Sequence, residues 1–226
     1  MAIDRRRLVV QAATRMVLGV LCLGLVLFAP AGTLRFWPGW AWSAAIFGPM
    51  PAVLVYLARY DPELLGRRMR MRERARGQQA VLAAAGVVFV AGLGVAGLQF
   101  RVAGLSVPVW LVVASNLAVF LGYLLFFAVL RANSYASRTL GVDPGQRVID
   151  TGPYAWVRHP MYAAMTLMMV ATPTALGSTW ALPFLAVFPL MLLPRIRGEE
   201  ALLRAELPGY AEYCERVRSR LIPGIW

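Results

Sequence analysis

The chain is poor in the side chains on which metal sites and most acid–base sites depend. It has one histidine, His159, and two cysteines, and all 23 of its basic residues are arginine. Cys22 lies in an apolar run and Cys214 in a charged segment, so we expect packing roles for both and no disulfide between them. With so few nitrogen and sulfur ligands, we expect no metal site. The sequence also lacks a P-loop, a glycine-rich dinucleotide turn and a recognisable Ser-His-Asp set.

Charge is scarce as well, and long apolar runs take its place. Charged residues make up 15% of the chain and hydrophobic ones 59%, with a mean hydropathy of +0.62, whereas soluble domains carry about 25% charge. About 20 apolar residues suffice to cross a bilayer. The apolar segments are 9–30, 37–58, 80–98, 108–130, 161–177 and 180–194. The sequence therefore predicts an all-α, polytopic integral membrane protein of about six transmembrane helices, the last two forming a short hairpin.

The arginines flank the apolar runs, and this placement predicts the topology. A nucleic-acid partner would require a soluble basic face, which the chain does not offer, so we expect none despite the net charge of +12. The loops on one side hold only Arg35 and Arg101. The positive-inside rule then places both termini and the segments 59–79, 131–160 and 195–226 in the cytoplasm. We expect an integral membrane protein with the lipid bilayer as its partner.

Two segments outside the apolar runs have amphipathic patterns. Residues 61–77 predict a helix that starts after Asp61, with Pro62 in its first position. Its basic face meets anionic lipid or is simply solvated. A second stripe predicts a cytoplasmic C-terminal helix that Pro208-Gly209 breaks into two pieces. This stripe consists of Leu203, Leu207, Tyr210, Cys214, Val217 and Leu221.

We expect one membrane-embedded domain over residues 1–226. Residues 1–130 hold the four N-terminal spans and the basic loop that connects two of them. Residues 131–226 hold two polar clusters, which both fall on the predicted cytoplasmic side. In a chain this apolar, chemistry is expected where polar residues gather.

The first polar cluster is Gly152-Pro-Tyr-Ala-Trp-Val-Arg-His-Pro-Met-Tyr162. His159 followed by Pro160 ahead of an apolar run predicts a helix start, with the proline in the first helical position. The unpaired N–H groups and dipole of such a start can bind a carboxylate or a phosphate. The alternative is an interfacial anchor, because arginine, histidine, tryptophan and tyrosine all favour the headgroup zone.

The second polar cluster, Arg195-Ile-Arg-Gly-Glu-Glu200, follows the apolar hairpin. Arg195 and Glu199 are four residues apart, so on a helix they can pair. The same cluster, with two adjacent glutamates, can also bind a cation or the hydroxyls of a ribose. The sequence alone leaves both interpretations open.

Together the two clusters carry a family resemblance. Gly152-Pro-Tyr-x-x-x-Arg-His-Pro-x-Tyr162, Glu199-Glu200-x-x-Leu203 and Tyr210-x-x-Tyr213-x-x-x-Val217 occur in this order around a short apolar hairpin. This arrangement resembles the C-terminal half of the isoprenylcysteine carboxyl methyltransferase family, related to the phospholipid N-methyltransferases. Asp61-Pro-Glu-Leu-Leu-Gly-Arg-Arg and Asn133-Ser-Tyr resemble its bacterial members, and this resemblance implies a protein of the bacterial inner membrane.

The resemblance implies an integral-membrane methyltransferase that uses S-adenosylmethionine and a lipophilic acceptor. It assigns substrate binding to Arg195 and implies catalytic roles for Arg195 and Glu199. The cofactor residues that it implies are Gln146, Arg147, Val148, Ile149, Tyr154, His159, Pro160, Met161, Tyr162 and Glu199. Two positions depart from the family pattern. Ala164 replaces a frequent glycine and could narrow the space beside the cofactor, and Leu207-Pro208-Gly209 replaces a Phe-Gly pair, which affects the placement of the following tyrosines.

Several activities are compatible with these residues. A carboxylate acceptor is already ionised and needs no base, which favours carboxyl O-methylation, with Arg195 holding the acceptor. Amine N-methylation of a phospholipid would need Glu199 or Glu200 as proton acceptor. The residues are also compatible with an NADPH-dependent enzyme similar to the sterol reductases, and with a non-enzymatic protein that interacts with lipid.

Overall fold

The computed structural model describes residues 5–69, 76–136 and 141–226. Over these ranges the chain is all-helical, without a strand, which confirms the prediction of an all-α protein. The elements are α1 (Arg5–Ala31), α2 (Trp37–Phe47), α3 (Met50–Tyr60), α4 (Pro62–Met69), α5 (Arg76–Ala103), α6 (Val109–Ala132), a 3₁₀ turn (Gly152–Ala155), α7 (Pro160–Ala175), α8 (Leu182–Leu185), α9 (Phe188–Glu206) and α10 (Tyr210–Arg216).

Four helical stretches in the described ranges are long and apolar enough to cross a membrane. They are Arg5–Ala31, Trp37–Tyr60 (α2 with α3), Gln79–Ala103 and Val109–Ala132. The first four apolar segments of the sequence are thereby confirmed as candidate spans of an integral membrane protein. The total of six spans stays a prediction, because α7 has only 16 residues and the last apolar segment is broken.

The segment 180–194 does not form one continuous helix. It contains the four-residue α8 and the start of α9, which continues to Glu206, well beyond the apolar part. Pro183 and Pro189 each lie in the first turn of their helix, where the missing N–H of proline costs no helical hydrogen bond, whereas Pro194 lies inside α9. Helix α9 therefore carries the second polar cluster on the same rigid element as its apolar half.

Helices α6 and α7 approach each other closely at Gly122. A Cβ atom there would lie 2.7 Å from Met168 Cγ and 3.2 Å from the carbonyl oxygen of Ala164. On the same face of the core, Trp42 of α2 donates a hydrogen bond from Nε1 to Thr172 Oγ1 of α7 at 3.0 Å. These contacts fix α7, and hence its N-terminus, against the spanning helices.

Helix α4 confirms the predicted helix start after Asp61, whose Oδ1 accepts a hydrogen bond from the N–H of Leu64 at 2.9 Å. The sequence led us to expect that its basic residues face lipid or solvent, but two of them, Arg67 and Arg68, contact protein instead. Arg67 Nη1 donates to the carbonyl oxygen of Ser134 at 2.9 Å, and Arg68 Nη1 donates to that of Ala136 at 3.0 Å. The two guanidinium groups therefore brace the loop after α6. The predicted continuation of this helix over 70–75 lies outside the described residues.

The C-terminal stripe forms two pieces separated at Pro208-Gly209. Helix α9 ends at Glu206, and Gly209 has a φ of 82°, which suits glycine because it lacks a Cβ. Most of the stripe lies in one buried cluster with the loop before the first polar cluster, which leaves it little surface for lipid. This cluster contains Leu203, Leu207, Tyr210, Tyr213, Cys214, Val217, Val142 and Val148.

Candidate active site at the start of α7

Helix α7 begins where the sequence predicted, with His159 in the N-cap position and Pro160 as its first residue. The N–H groups of Met161 and Tyr162 lie in the first turn, where no helical carbonyl can accept their hydrogen bonds. The positive end of the helix dipole lies at the same place and adds partial positive charge to these N–H groups. The start of α7 therefore presents donors and partial positive charge.

A cleft opens at this helix start and encloses about 880 Å³ of space, including the part open to solvent. It brings together every site residue that the resemblance implied, from both polar clusters: Gln146, Arg147, Val148, Ile149, Tyr154, His159, Pro160, Met161, Tyr162, Arg195 and Glu199. It is also lined by residues to which the sequence assigned no site role: Asn133, Tyr135, Ala136, Gly141, Arg158, Leu202, Leu203, Leu207, Tyr210 and Tyr213.

Tyr162 connects the two polar clusters inside the cleft. Its hydroxyl donates to Glu199 Oε2 at 2.7 Å and accepts from Arg195 Nε at 3.0 Å. Arg195 and Tyr162 are buried, while Glu199 is half-buried. The phenol therefore orients both a guanidinium and a carboxylate at the same wall, so that one wall offers a positive and a negative group to a ligand.

Glu200 does not line the cleft and lies buried behind it. Its Oε1 is 3.0 Å from Arg158 Nε and 3.2 Å from His159 Nε2, and its Oε2 is 3.1 Å from Arg220 Nη2. Burial alone would raise the pKa of Glu200, but hydrogen bonds from His159 and Arg220 and the charge of Arg158 outweigh it and lower the pKa to about 2. Adjacent helical residues point roughly 100° apart, which explains why only Glu199 reaches the cleft.

Tyr154 and Tyr213 join the first polar cluster to α10. Asn133 Nδ2 donates to the Tyr154 hydroxyl at 2.9 Å, and the Tyr213 hydroxyl donates to the carbonyl oxygen of Tyr154 at 2.8 Å. Burial raises the pKa of Tyr154 to about 12, so its phenol stays neutral. The Asn133-Ser-Tyr and Tyr-x-x-Tyr motifs were the sequence signals for Asn133 and Tyr213. Neither motif indicates that its residue forms a hydrogen bond with Tyr154.

Tyr210 lines the same cleft and is buried. Its hydroxyl has no hydrogen-bond partner among the described parts of the chain. Burial raises the pKa of Tyr210 well above 10, so the group keeps its proton and can donate. An unpaired buried polar group costs about 1–3 kcal/mol, which makes this hydroxyl a candidate for contact with a ligand.

The two departures from the family pattern lie in different surroundings. Ala164 is fully buried and packs where α7 meets Gly122 of α6. It is not among the residues that line the cleft, and its effect on the space beside a cofactor stays a prediction. Pro208-Gly209 leaves the following tyrosines, Tyr210 and Tyr213, at the cleft.

The fold and the site define a helical integral membrane protein with a polar cleft at a helix start. The model of the isoprenylcysteine carboxyl methyltransferase (ICMT) family matches residues 112–205. This match confirms the family resemblance over that stretch, which runs from α6 to the end of α9. Leu207, Tyr210 and Tyr213 lie beyond it.

Two curated proteins are similar to part of the chain. The chain is 29% identical over 80 residues to the uncharacterized protein YpbQ of Bacillus subtilis (strain 168), which covers 35% of this chain and 48% of that protein. It is 31% identical over 91 residues to the Delta(14)-sterol reductase TM7SF2 of Mus musculus, which covers 39% of this chain and 22% of that protein. The chain thus spans about half and about a fifth of the lengths of these relatives.

Proposed function

We propose that the chain is an integral-membrane methyltransferase that transfers a methyl group from S-adenosylmethionine to a lipophilic acceptor. The observation that carries the proposal is the cleft at the start of α7, where Tyr162 joins Arg195 and Glu199. The family match over residues 112–205 supports the same reaction class.

The side chains of the cleft fit the chemical groups of S-adenosylmethionine. The first-turn N–H groups of α7 suit its carboxylate. Glu199 and the tyrosine faces suit its ammonium and sulfonium cations. The Tyr210 hydroxyl, which has no partner within the described ranges, offers a further polar contact beside Leu203, Leu207 and Val148. The apolar surface of these three residues suits an uncharged heterocycle.

When bound, S-adenosylmethionine would supply its methyl group to the acceptor, with the bond from the methyl carbon to sulfur breaking as the bond to the acceptor forms and S-adenosylhomocysteine leaving. The residues of the chain orient the reactants and exclude water. Arg195, held by its hydrogen bond to Tyr162, binds the carboxylate of the acceptor. Met161, Leu202 and Leu203 provide apolar lining. A carboxylate needs no base, so carboxyl O-methylation requires no proton acceptor in this site.

A second methyl-transfer reaction is N-methylation of a phospholipid amine, which requires removal of a proton. Glu199 is the acceptor within the cleft, whereas Glu200 is held by Arg158, His159 and Arg220 and stays outside it. The similarity to part of a sterol reductase supports a different candidate, a reductase that uses NADPH. The reductase differs from the methyltransferases in its cofactor, and the two methyltransferases differ in their acceptor. Binding and transfer assays therefore separate the three candidates.

The deciding experiment is calorimetry on the full chain purified in detergent, with S-adenosylhomocysteine and NADPH as separate ligands. We expect saturable binding of S-adenosylhomocysteine and none of NADPH. Transfer of a labelled methyl group to isoprenylcysteine and to phosphatidylethanolamine then identifies the acceptor class. Binding of NADPH alone would contradict the proposal and favour the reductase.

A further inference from the structure

The carboxylate of Glu200 is only 5% exposed, so its charge requires close partners. Arg158 Nε lies 3.0 Å away but is not aligned as a hydrogen-bond donor. Arg220 Nε, in contrast, donates to Oε1 at 3.2 Å and to Oε2 at 3.1 Å, and its Nη2 lies 3.1 Å from Oε2. Of the two guanidinium groups, Arg220 is therefore the one that fixes the orientation of this carboxylate.

Arg220 belongs to the C-terminal tail, residues 217–226, which follows α10. The backbone of the tail is bonded to the residues just before α7. The N–H of Arg158 donates to the carbonyl oxygen of Ser219, and the N–H of His159 donates to that of Arg220, both at 2.9 Å. The tail therefore contacts the N-cap of α7 twice, through the backbone and through Glu200.

The tail is itself closed into a compact turn. The N–H of Leu221 donates to the carbonyl oxygen of Trp226 at 2.9 Å, and the Trp226 ring lies 5.3 Å from the Arg220 guanidinium carbon. Leu221 is buried in a cluster that includes Tyr162 and Ile196. The guanidinium of Arg220 is thus held in place on its far side as well.

We propose that Arg220 is a positioning residue for the cleft, acting through Glu200 on the imidazole of His159. The proposal rests on the proposed function for its ligand. Arg220 and Glu200 do not line the cleft, whereas Arg158, His159 and Tyr162 do. Loss of Arg220 leaves Glu200 free to turn toward Arg158, and His159 Nε2 then loses its fixed acceptor. The start of α7 becomes less well ordered, and a ligand there binds more weakly.

The test compares Arg220→Met, Arg220→Lys and Arg218→Met in the full chain. Arg218 is an exposed arginine of the same tail, so its replacement removes an equal charge without touching Glu200. Three measurements are made on each variant: affinity for S-adenosylhomocysteine, thermal unfolding without ligand, and the imidazole NMR signal. Because the chain has one histidine, that signal reports His159 alone.

Arg220→Met is expected to shift the His159 signal and to weaken S-adenosylhomocysteine binding on the order of tenfold, by analogy with the loss of residues that orient metal ligands. Arg220→Lys restores part of the affinity, because one donor remains but the planar fork is lost. Arg218→Met behaves as the wild type. Unchanged affinity in Arg220→Met, or a lower unfolding temperature with an unmoved His159 signal, overturns the proposal.

The outcome for Arg220 and the outcome for the proposed function are distinguishable. A wild-type chain that binds no S-adenosylhomocysteine contradicts the methyltransferase. In that case the His159 signal still decides the positioning role, because it needs no ligand. If it is the same in Arg220→Met and in the wild type, Arg220 does not position His159.

Discussion

Glu199 and Glu200 are chemically identical neighbours placed in opposite surroundings. Glu199 accepts a hydrogen bond from Tyr162 at the wall of the cleft, whereas Glu200 is enclosed by Arg158, His159 and Arg220. The same substitution at the two positions therefore tests two different properties of the molecule.

Glu199→Gln is expected to weaken S-adenosylhomocysteine binding about tenfold, because a charge-assisted contact is worth roughly 1.5–3 kcal/mol, and to leave thermal stability close to that of the wild type. Glu200→Gln is expected to cost roughly 3 kcal/mol of stability, because removing one partner of a buried ion pair leaves the others uncompensated. Calorimetry and thermal unfolding of both variants measure this. A Glu200→Gln protein as stable as the wild type would contradict the buried network.

Tyr210 and Tyr213 form a second matched pair, since among the described residues the Tyr213 hydroxyl has a hydrogen-bond partner and the Tyr210 hydroxyl has none. Tyr210→Phe is expected to keep or raise the unfolding temperature, because no hydrogen bond is lost, and to reduce affinity for S-adenosylhomocysteine by about fivefold, as expected for one hydrogen bond of about 1 kcal/mol. Tyr213→Phe should lower the unfolding temperature. If the two variants bind the ligand equally well, Tyr210 does not contact it.

At the scale of residues, the sequence predicted which side chains line the cleft but not which hydrogen bonds and ion pairs they form. The cap at His159 and the start at Pro160 follow from local backbone chemistry, so the pattern was sufficient. The separation of Glu199 from Glu200 depends on the rotation of α9 against its neighbours. The role of Arg220 depends on a contact across 20 positions of sequence, which no local pattern encodes.

At the scale of helices, α6 and α7 approach each other closely at Gly122, where there is no room for a Cβ atom. Gly122→Ala is expected to destabilise the fold by about 1–3 kcal/mol, because the new methyl group overlaps Met168 and approaches the backbone of Ala164. Gly86→Ala in α5 is the control, since a Cβ there has nothing within 4 Å. Thermal unfolding of the two variants measures the difference. Equal stability would show that α7 can shift without cost.

Hydropathy predicted the first four apolar segments well because a spanning helix needs only length and composition. It gives no helix boundaries within 180–194, where the chain forms α8 and the start of α9. The charge run of α4 likewise did not reveal that Arg67 and Arg68 donate hydrogen bonds to the loop after α6. A charge run has the same pattern whether it faces lipid, water or protein.

For the whole molecule, the positive-inside rule predicts that the cleft faces the cytoplasm. In a chain with both cysteines replaced, Thr151→Cys should react with a membrane-impermeant maleimide only after permeabilisation, and Leu34→Cys should react in intact cells. Both positions are exposed, Leu34 at 70%. Labelling of position 151 from outside would contradict the orientation.

The position of Arg220 has a consequence for the order in which the protein is made. Synthesis proceeds from the N-terminus, so α7 and α9 exist before residues 217–226 leave the ribosome. Until then the carboxylate of Glu200 lacks its hydrogen-bonding guanidinium, and the N–H groups of Arg158 and His159 lack their carbonyl acceptors. If Arg220 positions the cleft as proposed, a nascent chain that already holds its membrane helices binds its ligand tightly only after residues 217–226 have been made and have docked on α7.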